Sequence, residues 1–152
     1  ASARGDNIKG MLNLDMIAFN KGTTAVDIEY FSLTQSSGML ADMENAIDAF
    51  GDGLGRVESS AGANSDHYPF EQNGYPSLLL IEDWGNPYYH TTSDNVDSTY
   101  AGQPYLDYEL GSKIVRTAVA YLATEAVPVP EPATLTLLVF GAAGLLGRRR
   151  AA

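Results

Sequence analysis

The sequence predicts an α/β protein in which a mixed β-sheet is flanked by helices. Residues 10–19 (GMLNLDMIAF) and 77–83 (SLLLIED) are almost continuous apolar runs, as expected for strands that are covered on both faces. Two other segments carry apolar residues at three- and four-residue steps, which indicates helices with one apolar face. Strands that alternate with helices favour a layered α/β architecture.

Three strands are predicted in chain order. The first covers residues 11–19. The second covers residues 25–33 and alternates apolar with polar, so Asp27 and Glu29 should lie on a solvated face. The third is Ser77–Glu82. Because the first and third strands are apolar throughout, we expect them to be neighbours at the centre of one sheet.

The helices follow from periodicity and end signals. Ser36 or Ser37 is predicted to cap a helix that ends at Phe50, and residues 51–65 then form a long loop of small residues. After this loop comes a short helix. It is closed by the turn residues Asn73 and Gly74, and the last helix of the body starts near Pro104 and ends at about Ala126.

The chain is divided into a folded body and a tail of different composition. Residues 1–126 form the body, and residues 127–132 (VPVPEP) are a Pro-rich linker that should be extended. Residues 133–152 contain an apolar stretch, predicted to be helical over 133–147, and an arginine cluster. The sequence starts without Met or a signal peptide, so we expect an N-terminal part, including an export signal, to be missing.

Composition limits the classes of function. A chain of 152 residues is long enough for one domain. With no cysteine, any metal has to be held by His, Asp or Glu. The formal net charge of −10 disfavours nucleic acid as a partner, because an acidic surface repels phosphate backbones.

Asp15 is the most unusual residue, because it interrupts an apolar run that is predicted to be buried. It is either a metal ligand or catalytic group, or an aspartate at the strand's carboxyl end that bonds a neighbouring loop. His90, in YHTTSDNVD, is either an ordinary loop histidine or a metal ligand. His67 is either a second site residue or a cap-region histidine, and we favour the latter.

Three blocks taken together, NLDMIAF, SDHYPFEQNGYPSLLLIE and YHTTSDNVD, resemble the C-terminal half of a zinc-dependent exopeptidase family. The family includes aminopeptidase S, aminopeptidase Y and glutamate carboxypeptidase, and the resemblance covers residues 8–123. It implies two zinc ions in the complete protein, with Asp15 as a ligand of one and His90 as a ligand of the other. These side chains should then lie within about 10 Å of each other, since paired metals are about 3.5–4 Å apart.

The same resemblance implies roles for residues around the ligands. Ser65, Asp66 and His67 should lie beside the metal ligands without binding zinc. The walls of the pocket for the substrate's terminal side chain are expected to be Met16, Leu79, Ile81 and Tyr89.

The chain also departs from the family pattern. A complete site needs a His-x-Asp block, a bridging Asp and a Glu-Glu pair that holds the general base, and these precede the LDM strand in the family. No catalytic residue is therefore assigned in this chain. The resemblance implies hydrolysis of peptide bonds at the N-terminus of a peptide or protein substrate. Two alternatives stay open: a non-catalytic interaction module, as in the transferrin-receptor ectodomain, and a glutaminyl-peptide cyclase with one zinc.

The tail VPVPEPATLTLLVFGAAGLLGRRRAA resembles a PEP-CTERM sorting signal. The resemblance implies transient insertion of the tail into the membrane and processing by an exosortase. The protein should then be exported to the cell envelope, cell surface or extracellular matrix of a Gram-negative-type bacterium. The apolar stretch is shorter than the ~20 residues of a comfortable span, which favours a transient signal over a permanent anchor.

Overall fold

A computed structural model describes residues 4–19, 21–60, 64–83 and 85–126 of the chain. The strands and helices follow one another as β1 (Met11–Leu14), β2 (Ala25–Glu29), α1 (Leu33–Phe50), β3 (Gly55–Ser59), α2 (Tyr68–Gln72), β4 (Ser77–Glu82), β5 (Thr99–Tyr100), β6 (Gln103–Pro104) and α3 (Tyr108–Glu125). The predicted mixed sheet with flanking helices is confirmed. The linker and the apolar helix predicted for residues 127–152 lie outside the described residues.

The main sheet has the strand order β1-β4-β2-β3. Strand β4 runs parallel to β1 and antiparallel to β2, while β2 and β3 are parallel. The predicted pairing of the first and third strands is therefore confirmed, with Leu14 opposite Leu80. Their predicted central position holds for β4 and is wrong for β1, which lies at one edge of the described sheet.

Strand β1 is also shorter than predicted and ends at Leu14. Met16, with φ of +51°, adopts the left-handed backbone region, which a regular strand does not allow. The backbone still follows β4 beyond the strand, because the Asp15 N–H donates to the Leu80 carbonyl and the Glu82 N–H donates to the Met16 carbonyl. This segment therefore stays attached to β4 while its direction changes.

The core lies between one face of the sheet and the pair α1 and α3, which pack against each other. Its members are Val26, Ile28, Leu78 and Leu80 from the strands and residues such as Met43 and Ile114 from the helices. Side chains alternate along a strand, so Leu79 and Ile81 lie on the opposite face of β4.

Burial in β2 differs from the prediction. Asp27 and Glu29, expected to face solvent, are both buried, and Glu29 has 0% of its surface exposed. The physical reason is that this second face of the sheet is covered as well, because the cross-strand neighbours Ile81, opposite Asp27, and Leu79, opposite Glu29, are also buried. Asp27 accepts a hydrogen bond from the Ser59 hydroxyl, and burial raises the pKa of the Asp27 carboxyl despite this bond.

Helix α1 begins earlier than predicted, at Leu33, so neither Ser36 nor Ser37 is its cap. The side chain at the N-cap, Ser32, makes no capping hydrogen bond. The carboxylate of Glu71 lies at this end of the helix instead. It accepts hydrogen bonds from the backbone N–H groups of Phe31 and Ser32 and from the Ser36 hydroxyl.

Two further differences concern connecting segments. Strand β3 lies inside residues 51–65, which were predicted to be a loop. Helix α3 starts after the N-cap Asp107, whose side chain accepts from two backbone N–H groups, and Pro104 belongs to β6 instead. The short helix α2, closed at Asn73, and the position of β4 are confirmed. No helix within the described ranges is long and apolar enough to cross a membrane.

Candidate metal centre

Asp15 lies directly after the carboxyl end of β1 and is exposed, so the prediction that it is buried inside a strand is wrong. Its carboxylate is held by a neighbouring segment. The Ser65 hydroxyl donates to Asp15 Oδ2 at 2.9 Å, and Asn13 Nδ2 donates to Ser65 Oγ at 2.7 Å. These two contacts orient a carboxylate that remains accessible to a ligand.

His90 lies in the segment that follows β4 and is also exposed. Its backbone is left-handed, with φ of +58°, which is uncommon outside glycine. The imidazole stacks on the ring of Tyr89, with 3.8 Å between ring centroids. Since β1 and β4 are parallel, Asp15 and His90 both follow carboxyl ends at the same edge of the sheet. The distance between the Asp15 and His90 side chains stays a prediction.

A partly buried hydrogen-bond network fixes the loop that carries His90. Glu82, the last residue of β4, accepts from Asn86 Nδ2 at 3.0 Å, and Asn86 Nδ2 also donates to Tyr105 Oη at 2.7 Å. Tyr105 Oη in turn donates to Asp94 Oδ1 at 2.9 Å. Burial raises the pKa values of both Glu82 and Tyr105. The loop is thus anchored on both sides of His90.

Aromatic packing supports the same loop. Tyr88 and Tyr105 have ring centroids 5.1 Å apart, and Phe19 contacts Tyr105 and, edge to face, Tyr100. Tyr88 Oη donates to the Thr99 carbonyl at 2.7 Å. Such packing adds about 0.5–1.5 kcal/mol per aromatic pair beyond burial, which favours a single loop conformation.

The three residues of the SDH block occupy different environments. Ser65 touches Asp15, as described above, whereas Asp66 is exposed. His67 is the N-cap residue of α2 and has 0% of its surface exposed. Among the described residues, neither of its ring nitrogens has a hydrogen-bond partner, and burial lowers the pKa of His67, which Glu71 only partly offsets. Ser65 is therefore the member of the block with a direct link to a predicted ligand.

The predicted walls of a substrate pocket differ in accessibility. Leu79 and Ile81 are 1% and 3% exposed, whereas Met16 is partly exposed and Tyr89 is exposed. Only the last two offer surface to a substrate in this conformation, and the pocket itself stays a prediction. A groove of about 710 Å³ lies elsewhere, near the start of β1 and the end of α3, and neither Asp15 nor His90 lines it.

The donor types of the two predicted ligands fit zinc, which takes oxygen from carboxylates and nitrogen from imidazoles. Both side chains are accessible, and each is held by neighbours that leave donor atoms free for a metal. Within the part of the chain that is described, no three His, Asp, Glu or Cys residues lie together in a way that could hold a metal ion. Each ion would therefore need further ligands from other residues.

Curated relatives cover most of this chain but are much longer. The probable leucine aminopeptidase 1 of Trichophyton verrucosum is 32% identical over 117 residues, which are 69% of this chain and 28% of the relative. Leucine aminopeptidase 1 of Trichophyton rubrum is 31% identical over the same length and coverage. The chain thus spans less than a third of these relatives.

Solved structures share the fold. The LapA aminopeptidase of Legionella pneumophila matches with a TM-score of 0.64 at 20% identity, over 80% of this chain and 32% of that one. BSAP, a zinc aminopeptidase from Bacillus subtilis, matches with a TM-score of 0.61 at 20% identity, over 88% of this chain and 34% of that one.

Two family models match separate parts of the sequence. Residues 128–150 match the PEP-CTERM protein-sorting motif, so the tail carries the predicted signal. Residues 1–104 match Peptidase family M28. This match confirms the predicted resemblance to an exopeptidase, and the chain belongs to Peptidase family M28.

Proposed function

We propose that this chain is the C-terminal part of an exported zinc aminopeptidase, in which Asp15 and His90 each bind one of two zinc ions. The observation that carries the proposal is their placement: two exposed donors follow the carboxyl ends of the parallel, paired strands β1 and β4. Membership of Peptidase family M28 and the similarity to leucine aminopeptidases support the same activity.

When bound, two zinc ions polarise the scissile carbonyl and lower the pKa of a water molecule. This chain's own contribution is to place one ligand for each ion. Ser65 holds one oxygen of Asp15 through a hydrogen bond, and the anchored loop after β4 presents His90. The other ligands and the glutamate that serves as general base would come from residues outside these 152.

The surface beside the ligands suits a peptide substrate. Met16 and Tyr89 follow β1 and β4 next to Asp15 and His90, and both have accessible surface. A thioether and a phenol ring can pack on an apolar terminal side chain. Leu79 and Ile81 are buried in β4, so we assign them the floor of the pocket and not its entrance.

The tail supports an exported location. A PEP-CTERM motif ends in an arginine cluster, and such a cluster stays on the cytoplasmic side of a membrane. We infer that the tail inserts transiently and that an exosortase-type enzyme processes it. The mature peptidase would then act on peptides in the cell envelope, at the cell surface or beyond it.

The activity is tested on the full-length protein with peptides that differ in their N-terminal residue. We expect release of the N-terminal residue, loss of activity on chelation and recovery with zinc. A product that has lost ammonia or water from an N-terminal Gln or Glu, with no peptide cleavage, would identify the cyclase instead. Peptide binding without any turnover at saturating zinc would identify the interaction module.

A further inference from the structure

The carboxylate of Glu82 lies between the two segments that carry the proposed ligands. Glu82 is 2% exposed. Its Oε2 accepts hydrogen bonds from the backbone N–H groups of Ala18 and Phe19, which follow Asp15 closely in the chain. Its Oε1 accepts from Asn86 Nδ2, which precedes His90. A single side chain therefore joins the segment after Asp15 to the loop before His90.

Asn86 connects Glu82 to the loop that carries His90 through hydrogen bonds. Its Oδ1 accepts from the Tyr88 N–H at 2.9 Å, and its Nδ2 also donates to Tyr105 Oη, which donates to Asp94. Tyr88 precedes His90 and Asp94 follows it. The backbone around His90, with its left-handed φ, is thus held from both sides by groups that depend on Asn86.

The contacts of Glu82 suit a carboxylate. Its three partners among the described residues are N–H donors: two backbone amides and one side-chain amide. A carboxylate is acceptor-only and can satisfy donors at both of its oxygens. A glutamine would turn its NH₂ group towards one of these donors, and so would leave two buried donors facing each other.

We propose that Glu82 is a positioning residue, which fixes the Asp15 and His90 segments relative to each other and thereby sets the zinc affinity of the site. The part that concerns zinc rests on the proposed function. The part that concerns the two segments does not, and it can be tested without metal.

Another buried carboxylate provides a matched control. Like Glu82, Glu71 accepts hydrogen bonds at both carboxylate oxygens, from the N–H groups of Phe31 and Ser32 and from the Ser36 hydroxyl. Ser36 Oγ accepts from the N–H of Ser77, so this network lies at the start of β4, whereas Glu82 lies at its end. Glu71→Gln makes the same substitution at the other end of β4, where the Ser36 hydroxyl can accept from the new NH₂ group, and should therefore leave the ligand segments unchanged.

The first measurement uses the metal-free full-length protein. Backbone amide signals of Asp15 and His90 are followed by NMR in Glu82→Gln and in Glu71→Gln. We expect both signals to shift or broaden in Glu82→Gln and to stay in place in Glu71→Gln. If Glu82→Gln does not fold, Asn86→Ala removes only the link to the loop and should move the His90 signal while that of Asp15 stays. Unchanged His90 signals in either variant would overturn the proposal.

The second measurement is the zinc affinity of the full-length protein, determined by competition with a chromophoric chelator. Glu82→Gln should bind zinc about 10- to 100-fold more weakly, as is typical when groups that orient metal ligands are changed. The double variant Glu82→Gln/Asn86→Asp restores a donor facing an acceptor, so it should bind zinc more tightly than Glu82→Gln alone. Glu71→Gln should keep the original affinity.

The outcomes separate this proposal from the proposed function. If zinc affinity in Glu82→Gln equals that in Glu71→Gln, or if the double variant folds without any recovery, Glu82 has only a structural role and the proposal is wrong. If instead Asp15→Ala and His90→Ala leave zinc affinity intact, the assignment of the ligands is wrong, and the metal-free NMR result still decides whether Glu82 links the two segments.

Discussion

Ser65 donates its hydroxyl proton to Asp15 Oδ2 at 2.9 Å, and this bond joins two segments that are 50 residues apart in sequence. It leaves the remaining oxygen of an exposed carboxylate open to a metal. Asn13, two residues before Asp15, donates to the oxygen of the same Ser65 hydroxyl at 2.7 Å and fixes the direction of that hydroxyl. The orientation of the proposed ligand is therefore determined by two neutral side chains.

Ser65→Ala should weaken zinc binding by the full-length protein by about 10-fold, because the variant releases the Asp15 carboxylate from its fixed orientation. Chelator competition measures the change. Asp15 is exposed, so the thermal midpoint should hardly move. Ser112→Ala, an exposed serine on α3, is the matched control. Equal zinc affinity in both variants would show that the Ser65 contact does not orient the ligand.

Glu71→Ala should lower the free energy of unfolding by about 1–3 kcal/mol, because the N–H groups of Phe31 and Ser32 lose their acceptor. Urea denaturation monitored by circular dichroism measures this. Glu44→Ala, which only removes a partly exposed ion pair with Arg56, should change stability by less than about 1 kcal/mol. An unchanged stability in Glu71→Ala would contradict the role of this carboxylate at the start of α1.

His67 should make the fold sensitive to mild acid. Burial lowers its pKa below the 6.5 of the unfolded chain, so the unfolded state binds a proton that the folded state does not. Its contribution to stability is complete above pH 6.5 and is lost as the pH falls from there towards the folded pKa. Stability in urea should thus decrease between about pH 7.5 and about pH 5.5.

The comparison of two histidine variants isolates this effect. The chain has two histidines, and His67→Leu should flatten the pH dependence while His90→Gln keeps it. Burial raises the pKa values of Asp27 and Glu82, so these two groups stabilise the fold as the pH falls, which is opposite to the effect of His67. Both variants keep Asp27 and Glu82, so the comparison between the variants is unaffected. An equal pH dependence in the two variants would rule out His67 as its source.

The tail should be processed in a bacterium that has an exosortase. Intact mass spectrometry of the exported protein should show the loss of residues after the Pro-Glu-Pro of the sorting motif. Replacing Pro130, Glu131 and Pro132 by alanine should block this loss. An exported protein that keeps its full-length tail would contradict the interpretation of the motif as a processed signal.

Local patterns predicted the elements that depend on local chemistry. The continuous apolar run of β4 and the regular apolar spacing of α3 are visible in the sequence, and both elements lie where they were expected. The start of α1 was not predictable from nearby residues, because the N–H groups of the two residues before it are bound by Glu71, 39 to 40 residues away. Glu29 has an alternating context that indicates exposure, yet it lies on a sheet face that is buried, next to Leu79 of β4.

The candidate site also combines residues that local sequence signals reveal with contacts between residues that are distant in sequence. Asp15 and His90 were identified because a carboxylate in an apolar run and a histidine after a buried strand are unusual. Glu82, at the end of the run SLLLIE, carries the first of these signals, but the sequence pattern assigns it no role. Its partners, Ala18, Phe19 and Asn86, come together because β1 and β4 are parallel neighbours, and the sequence predicts that the strands are neighbours but not their register.

The most direct test of the account is the peptidase activity and zinc content of the full-length protein with His90→Ala. The exposed Thr92, in the same loop, supplies the matched control Thr92→Ala. Loss of a ligand from one ion should reduce turnover of an N-terminal leucyl substrate by several orders of magnitude and lower the bound zinc, since both ions act in the reaction. Thr92→Ala should keep both. Normal activity in His90→Ala with unchanged zinc would contradict the central claim that His90 is a metal ligand.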